Sequence, residues 1–118
     1  MIESIQLTLI WSNGTLKNQK TKLSKEEILF RIKADKKFLN ENFGVITIGL
    51  FGSYAKDRQT SASDIDLLVE FIEPRFDWLA SLQTHMEKSF NKKIEIVRKR
   101  NISESPFSKK IEKEIIYA

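Results

Sequence analysis

Apolar and polar positions alternate along this chain with two different periods, and the changes of period divide it into short elements. Ile5, Leu7, Leu9 and Trp11 alternate with Gln6, Thr8 and Ile10, which predicts a half-buried strand, and Asn13-Gly14 then marks a tight turn. Polar Lys17 to Lys22 follows, so residues 1–22 read as an N-terminal arm or hairpin appended to a domain over 23–118. Ser24 with Glu27 is a capping-box pattern that opens a helix. Ile28, Leu29, Ile32, Lys36 and Leu39 give that helix one mainly apolar face, and Asn42-Phe43-Gly44 ends it. Val45 to Phe51 is a nearly continuous apolar run, the pattern of a strand buried on both faces. Ile65 to Phe71 is a second such run with acids at its start. Pro74 to Phe90 carries Leu79, Leu82, Met86 and Phe90 at helical spacing, Lys93 to Val97 alternates as a third strand, and Ser105-Pro106 opens a last helix with Phe107, Ile111 and Ile115 on one side. The expected fold is α+β (mixed α/β), a small sheet with helices packed on it.

Composition narrows the chemistry. The 118 residues fit one domain. Cysteine is absent, which removes disulfide scaffolds, zinc knuckles, iron–sulfur clusters and thiol nucleophiles. A single histidine, His85, rules out multi-histidine metal sites and reads as a helix surface residue. The net charge of +4 at pH 7 suits a nucleotide, a nucleic acid or an acidic protein and selects none of them. Lys92, Lys93, Arg98, Lys99 and Arg100 form a basic cluster, but no aromatic platform accompanies it, so it reads as a solvated face rather than a nucleic-acid site. No apolar run approaches the roughly 20 residues of a membrane span, and Met1 to Trp11 lacks a basic start and a cleavage site. The expected compartment is the cytoplasm. Phe51, Phe71, Phe76, Phe90, Phe107 and Trp78 are expected in the core, whereas Trp11 is a candidate for self-association.

The chemistry concentrates between residues 49 and 69. Gly52-Ser53 ends a buried strand, where glycine lets the backbone approach a phosphate closely and a serine hydroxyl can donate to its oxygen; a helix starting there would add free N–H groups. Asp64-Ile65-Asp66 opens the next strand, and side chains two apart share a face. Two carboxylates held so close repel unless a cation lies between them, and Mg²⁺ is a hard cation that takes oxygen ligands and bridges to substrate phosphates. Glu95 alternates with Ile94 and Ile96, so a neighbouring strand would set it beside the aspartates.

Together, Gly52-Ser53, the spacer over residues 54–63, Asp64-Ile65-Asp66 and a third acid on a later strand resemble the DNA polymerase beta-like nucleotidyltransferase superfamily. The run Gly52-Ser53-Tyr54-Ala55-Lys56-Asp57, then Ser63-Asp64-Ile65-Asp66-Leu67, is similar to the minimal nucleotidyltransferases (the MNT family), whose members include antitoxins that partner HEPN toxins. The ending Glu112 to Tyr117 looks like that family's closing helix. The resemblance implies a nucleotidyltransferase fold with ATP as donor and two Mg²⁺ ions held by Asp64, Asp66 and Glu95. Gly52 and Ser53 would hold the phosphates, and Lys56 would add positive charge. It also implies transfer of AMP to a hydroxyl, a tyrosine of a HEPN toxin, with this chain as the antitoxin. Two other readings stand beside that one: an antitoxin acting by contact alone, and a small-molecule nucleotidyltransferase completed by a companion chain. The sequence departs from the family pattern where Lys56-Asp57 replaces Arg-Gly and where Glu95 stands in place of the commoner aspartate.

Overall fold

A computed structural model describes residues 23–99 and 106–118 of the chain. The arm over 1–22, with Trp11, and Arg100 of the basic cluster lie outside the described residues. Within them the element order is α1 (Lys25–Phe43), β1 (Val45–Phe51), β2 (Ile65–Phe71), α2 (Phe76–Phe90), β3 (Ile94–Arg98), α3 (Pro106–Glu114) and β4 (Ile116–Tyr117). The strands form one mixed sheet in the order β3-β2-β1-β4. β1 runs antiparallel to both β2 and β4, while β2 and β3 are parallel. The mixed α+β architecture is the one expected from the pattern of the chain.

Local chemistry sets the boundaries. Ser24 caps α1 by accepting from the Glu27 N–H at 3.1 Å, which satisfies one of the helix's orphan donors. Gly44 ends α1 in the left-handed region (φ 64°) and returns its N–H to Asn40, a closure that glycine makes without strain. The Trp78 ring lies directly over Gly44, in the space where a β-carbon would stand. The core sits between the sheet and α1/α2: Ile28, Ile32 and Leu39 from α1, Leu82 and Met86 from α2, and Ile48, Leu50, Ile65, Leu67, Val69 and Ile94 from the strands. A smaller cluster of Phe51, Leu68 and Ile111, with Val97 and Ile115 against it, packs α3 on the opposite face. The sheet is thus covered on both sides near its centre, which is why β1 and β2 read as continuous apolar runs.

Several expectations change. Phe76 and Phe107 are exposed rather than in the core; each stands in the first turn of its helix, and Phe107 meets the sheet at its margin through an edge-on ring contact with Phe51 at 6.3 Å. Trp78, Leu79 and Phe71 are only half-buried. Ile115 falls after α3, and the last residues form β4, with the Ala118 N–H donating to the Ile48 carbonyl at 3.0 Å. Two residues of strand are too short for any period to show. His85 does not face only water: it bonds Asp35 at 2.9 Å and stacks on Phe38, tying α2 to α1. In the basic cluster, Lys99 pairs with Glu70 and Lys92 donates to the Ser61 carbonyl, so both already have partners. No helix among the described residues is long and apolar enough to cross a membrane.

Because polar Lys17 to Lys22 separates the arm from the domain over 23–118, deletion of residues 1–22 is expected to leave a cooperatively folding domain. Far-UV circular dichroism with a thermal melt checks it, and a molten or insoluble product would place the arm in the core.

Candidate active site

β1 delivers the chain to Gly52, which takes φ 79°. Residues 53–57 then form a compact run of turns: the Lys56 and Arg58 N–H groups both return to the Ser53 carbonyl, at 3.2 and 2.9 Å, and Asp57 N–H returns to Tyr54. The turn is anchored by burying Tyr54 and Ala55 in the main core. The reason is packing. Both side chains join the core cluster to which Ile28 and Leu39 of α1 belong.

The acids meet this turn on the sheet face that carries α3. Asp64 stands just before β2 and Asp66 within it, on the same face by alternation. Asp66 is paired with Phe51 on one side and with Glu95 on the other. Two residues in register on adjacent strands lie roughly 4.8 Å apart along the hydrogen-bonding direction, so Glu95 stands beside Asp66 as its alternation with Ile94 and Ile96 required. Gly52 closes the other side, and a β-carbon there would collide with Asp66 Oδ2 and sit 3.0 Å from its Cγ. Glycine is therefore demanded twice at this position, by its backbone angle and by the carboxylate packed against it.

Electrostatics reflect the crowding. Burial pushes the Asp66 carboxyl up to about 6, and the negative charges of Glu95, Asp64 and Glu114 push it the same way. Such a group is primed for a cation, which would relieve all of these terms together. Among the described residues no three carboxylate or imidazole side chains converge tightly enough to cage an ion unaided. The donor set is all oxygen and all anionic, however, and Mg²⁺ characteristically takes one or two carboxylates and completes its shell with water and substrate phosphates. The acids fit that role.

Glu114 is the member of the site that pattern reading missed. At the end of α3, it accepts the Gly52 N–H at 3.1 Å and pairs with Lys56 Nζ at 3.5 Å. One local signal points to it: an acid in the last turn of a helix opposes the helix dipole. Ser63, by contrast, is a loop-closing residue whose Oγ accepts the Thr60 N–H at 2.9 Å. Arg58 is exposed on the loop, as expected of a solvated cation. A surface groove of about 500 Å³, lined by Phe71, Ile72, Pro74, Arg98 and neighbours, lies at the far end of β2 and away from the acids.

Residues 33–118 match the family model described as polymerase beta, nucleotidyltransferase. The chain belongs to this nucleotidyltransferase family. It is 39% identical over 94 residues to a Methanocaldococcus jannaschii protein named for protein adenylyltransferase activity, an alignment covering 77% of this chain and 94% of the relative. It is 35% identical over 96 residues to the protein adenylyltransferase MntA of Thermococcus cleftensis, covering 80% of this chain and 96% of the relative. The fold superposes on a minimal nucleotidyltransferase structure with a TM-score of 0.66 and 28% identity, covering 80% of this chain and 95% of the other. It also superposes on a complex of tri-AMPylated Shewanella oneidensis HEPN toxin with MNT antitoxin (TM-score 0.53, 20% identity, 75% and 68% covered).

In this nucleotidyltransferase the replacement of the family's Arg-Gly by Lys56-Asp57 has a structural reading. Asp57 takes φ 58°, a region that glycine enters freely and that aspartate tolerates better than most residues. Its carboxylate is held by Lys25 Nζ at 2.9 Å, so the extra acid is engaged with α1. Asp57→Gly is expected to leave both the unfolding midpoint and nucleotide transfer close to wild type. A thermal melt and a transfer assay check it, and a loss of transfer would give Asp57 a part in the chemistry.

Proposed function

We propose that this protein is an antitoxin that transfers AMP from ATP to a hydroxyl, specifically a tyrosine, of a HEPN-type toxin, in a Mg²⁺-dependent reaction. The observation that carries the reading is the convergence of the Gly52 turn on Asp66, with Glu95 in register beside it and Asp64 at the strand entrance. A phosphate-binding turn packed directly on paired carboxylates is the arrangement that in-line phosphoryl-group chemistry requires.

In this reading Gly52 and Ser53 hold the β- and γ-phosphates and Lys56 neutralises part of their charge. Asp64 and Asp66 hold the divalent ions, and Glu95 completes the ligand set on the acceptor side. Two such ions, when bound, neutralise the triphosphate and lower the pKa of the attacking hydroxyl. Glu95 is exposed on β3, an edge strand of the sheet. It is therefore the carboxylate placed to receive the acceptor's proton.

In this reading the acceptor is a protein. The names of the relatives, protein adenylyltransferases, and the AMPylated HEPN toxin in the superposed complex support the same acceptor class. Addition of AMP brings negative charge and bulk to a surface meant for RNA, which disables it by repulsion.

The test is mass spectrometry of a HEPN protein co-expressed with this chain. The expected result is one or more added AMP masses on tyrosine, absent with Asp64→Asn or Asp66→Asn. Neutralisation of the toxin without added mass, retained by both variants, would establish the contact-only antitoxin instead.

A further inference from the structure

We propose that Glu114 is a built-in occupant of the triphosphate turn, holding the donors that the β- and γ-phosphates would use and so setting the affinity of the site for triphosphates. The proposal rests on reading Gly52 to Asp57 as that turn. Its first support is geometric. One carboxylate oxygen of Glu114 accepts the Gly52 N–H at 3.1 Å, and the other lies 3.5 Å from Lys56 Nζ. A backbone N–H in a glycine turn plus a lysine ammonium is a donor pair for a phosphate oxygen, and a carboxylate is the side chain that most nearly imitates one.

The second support is that Glu114 stands where local rules disfavour it. It ends α3, where the helix dipole is negative and acids are disfavoured. Its side chain is 14% exposed, and it is among the negative charges that crowd Asp66. A buried acid beside other acids at a helix C-terminus is a conflict that proteins tolerate mainly at functional sites. The contacts with Gly52 and Lys56 compensate it only while no phosphate is bound.

Once a triphosphate takes these two donors, the Glu114 carboxylate has to swing out or be drawn toward the cation that accompanies the nucleotide. The free protein therefore discounts the affinity of a triphosphate, whereas AMP, whose single phosphate lacks the β and γ groups that compete for Gly52 and Lys56, binds without displacing Glu114. When a site is open only part of the time, its apparent affinity is reduced by the open fraction. Removing the occupant restores it.

The experiment is calorimetric titration of the full chain with AMP-PNP and with AMP, each with Mg²⁺, for wild type, Glu114→Gln and Glu114→Asp. Glutamine preserves shape and an acceptor for the Gly52 N–H but releases Lys56. It is expected to bind AMP-PNP about 5–10-fold more tightly, as for a site occluded roughly 80–90% of the time, with AMP affinity unchanged. Aspartate keeps the charge but withdraws it by one methylene, so its affinity is expected to fall between the two; it carries the test if the glutamine variant does not fold. AMP-PNP binding by the folded variants that is equal to or weaker than wild type would overturn the proposal, and would identify Glu114 as a ligand of the nucleotide–metal complex or a plain structural contact. Equal tightening for AMP would overturn the assignment of these donors to the β- and γ-phosphates. If the variants tighten as expected but AMP is never transferred to a HEPN partner, the acceptor reading fails while the occupancy of the turn stands.

Discussion

Asp66→Asn is expected to abolish nucleotide transfer, by on the order of 10³-fold, while making the protein more stable at pH 7. The two effects share one cause. Burial and the charges of Glu95, Asp64 and Glu114 hold the Asp66 carboxyl near 6 instead of its ordinary 3.8. The folded state then binds this proton more tightly than the unfolded chain, so stability falls as pH rises from about 3.8 to about 6 and stays reduced above that. Asparagine keeps the shape and cannot ionise, which removes the penalty. Because Asp66 is only half-buried, solvent screening trims the gain to about 1 kcal/mol. Thermal melts of both proteins across pH check it: the gap should open between the two pH values and vanish in acid. Mg²⁺ should raise the melting temperature of wild type and leave the variant unmoved. Full transfer by the variant, or a gap that widens in acid, would sink the assignment of Asp66 as the pivotal carboxylate.

Gly52→Ala is the second large effect. A side chain at φ 79° is strained in any surroundings, and here the added carbon also meets the Asp66 carboxylate. The expected cost is about 2–4 kcal/mol, combining backbone strain with overpacking, and transfer should fall with it because the turn and the acid are displaced together. Gly49→Ala is the control. Its β-carbon would come 2.7 Å from the Ile115 side chain, a flexible neighbour that can shift, so the cost should be smaller. Urea denaturation of both variants measures the difference, and a Gly52→Ala protein as stable as Gly49→Ala would contradict the packing described for the turn.

Short-range rules recovered most of this protein. The Ser24 and Glu27 cap, the Gly44 stop, the apolar runs of β1 and β2 and the alternation of β3 are each written within a few neighbouring residues, because capping and strand alternation depend on neighbours. The acids were legible for the same reason: Asp64 and Asp66 share a face by strand geometry alone, and Gly52-Ser53 ends a strand that must turn.

Tertiary structure decided what depends on residues distant in the chain. That Glu95 lies beside Asp66 rather than at another register follows from the parallel pairing of β2 with β3, a choice made by burying Ile94 and Ile96 under α2. The turn after Gly52 forms no helix because Tyr54 and Ala55 are drawn into the core, a pull that no local propensity records. Phe76 and Phe107 look like core residues and are exposed, because how far a helix's first turn is covered depends on the elements packed around it and not on its own spacing. Glu114, 62 positions from Gly52 in the chain, reaches it only because α3 packs on the sheet face that carries the acids. The sequence by itself determined the elements, the turn and the paired aspartates, since these are set by backbone geometry over a few residues. Only the packed molecule decided which charges face one another, since that depends on how the hydrophobic faces of the sheet are covered.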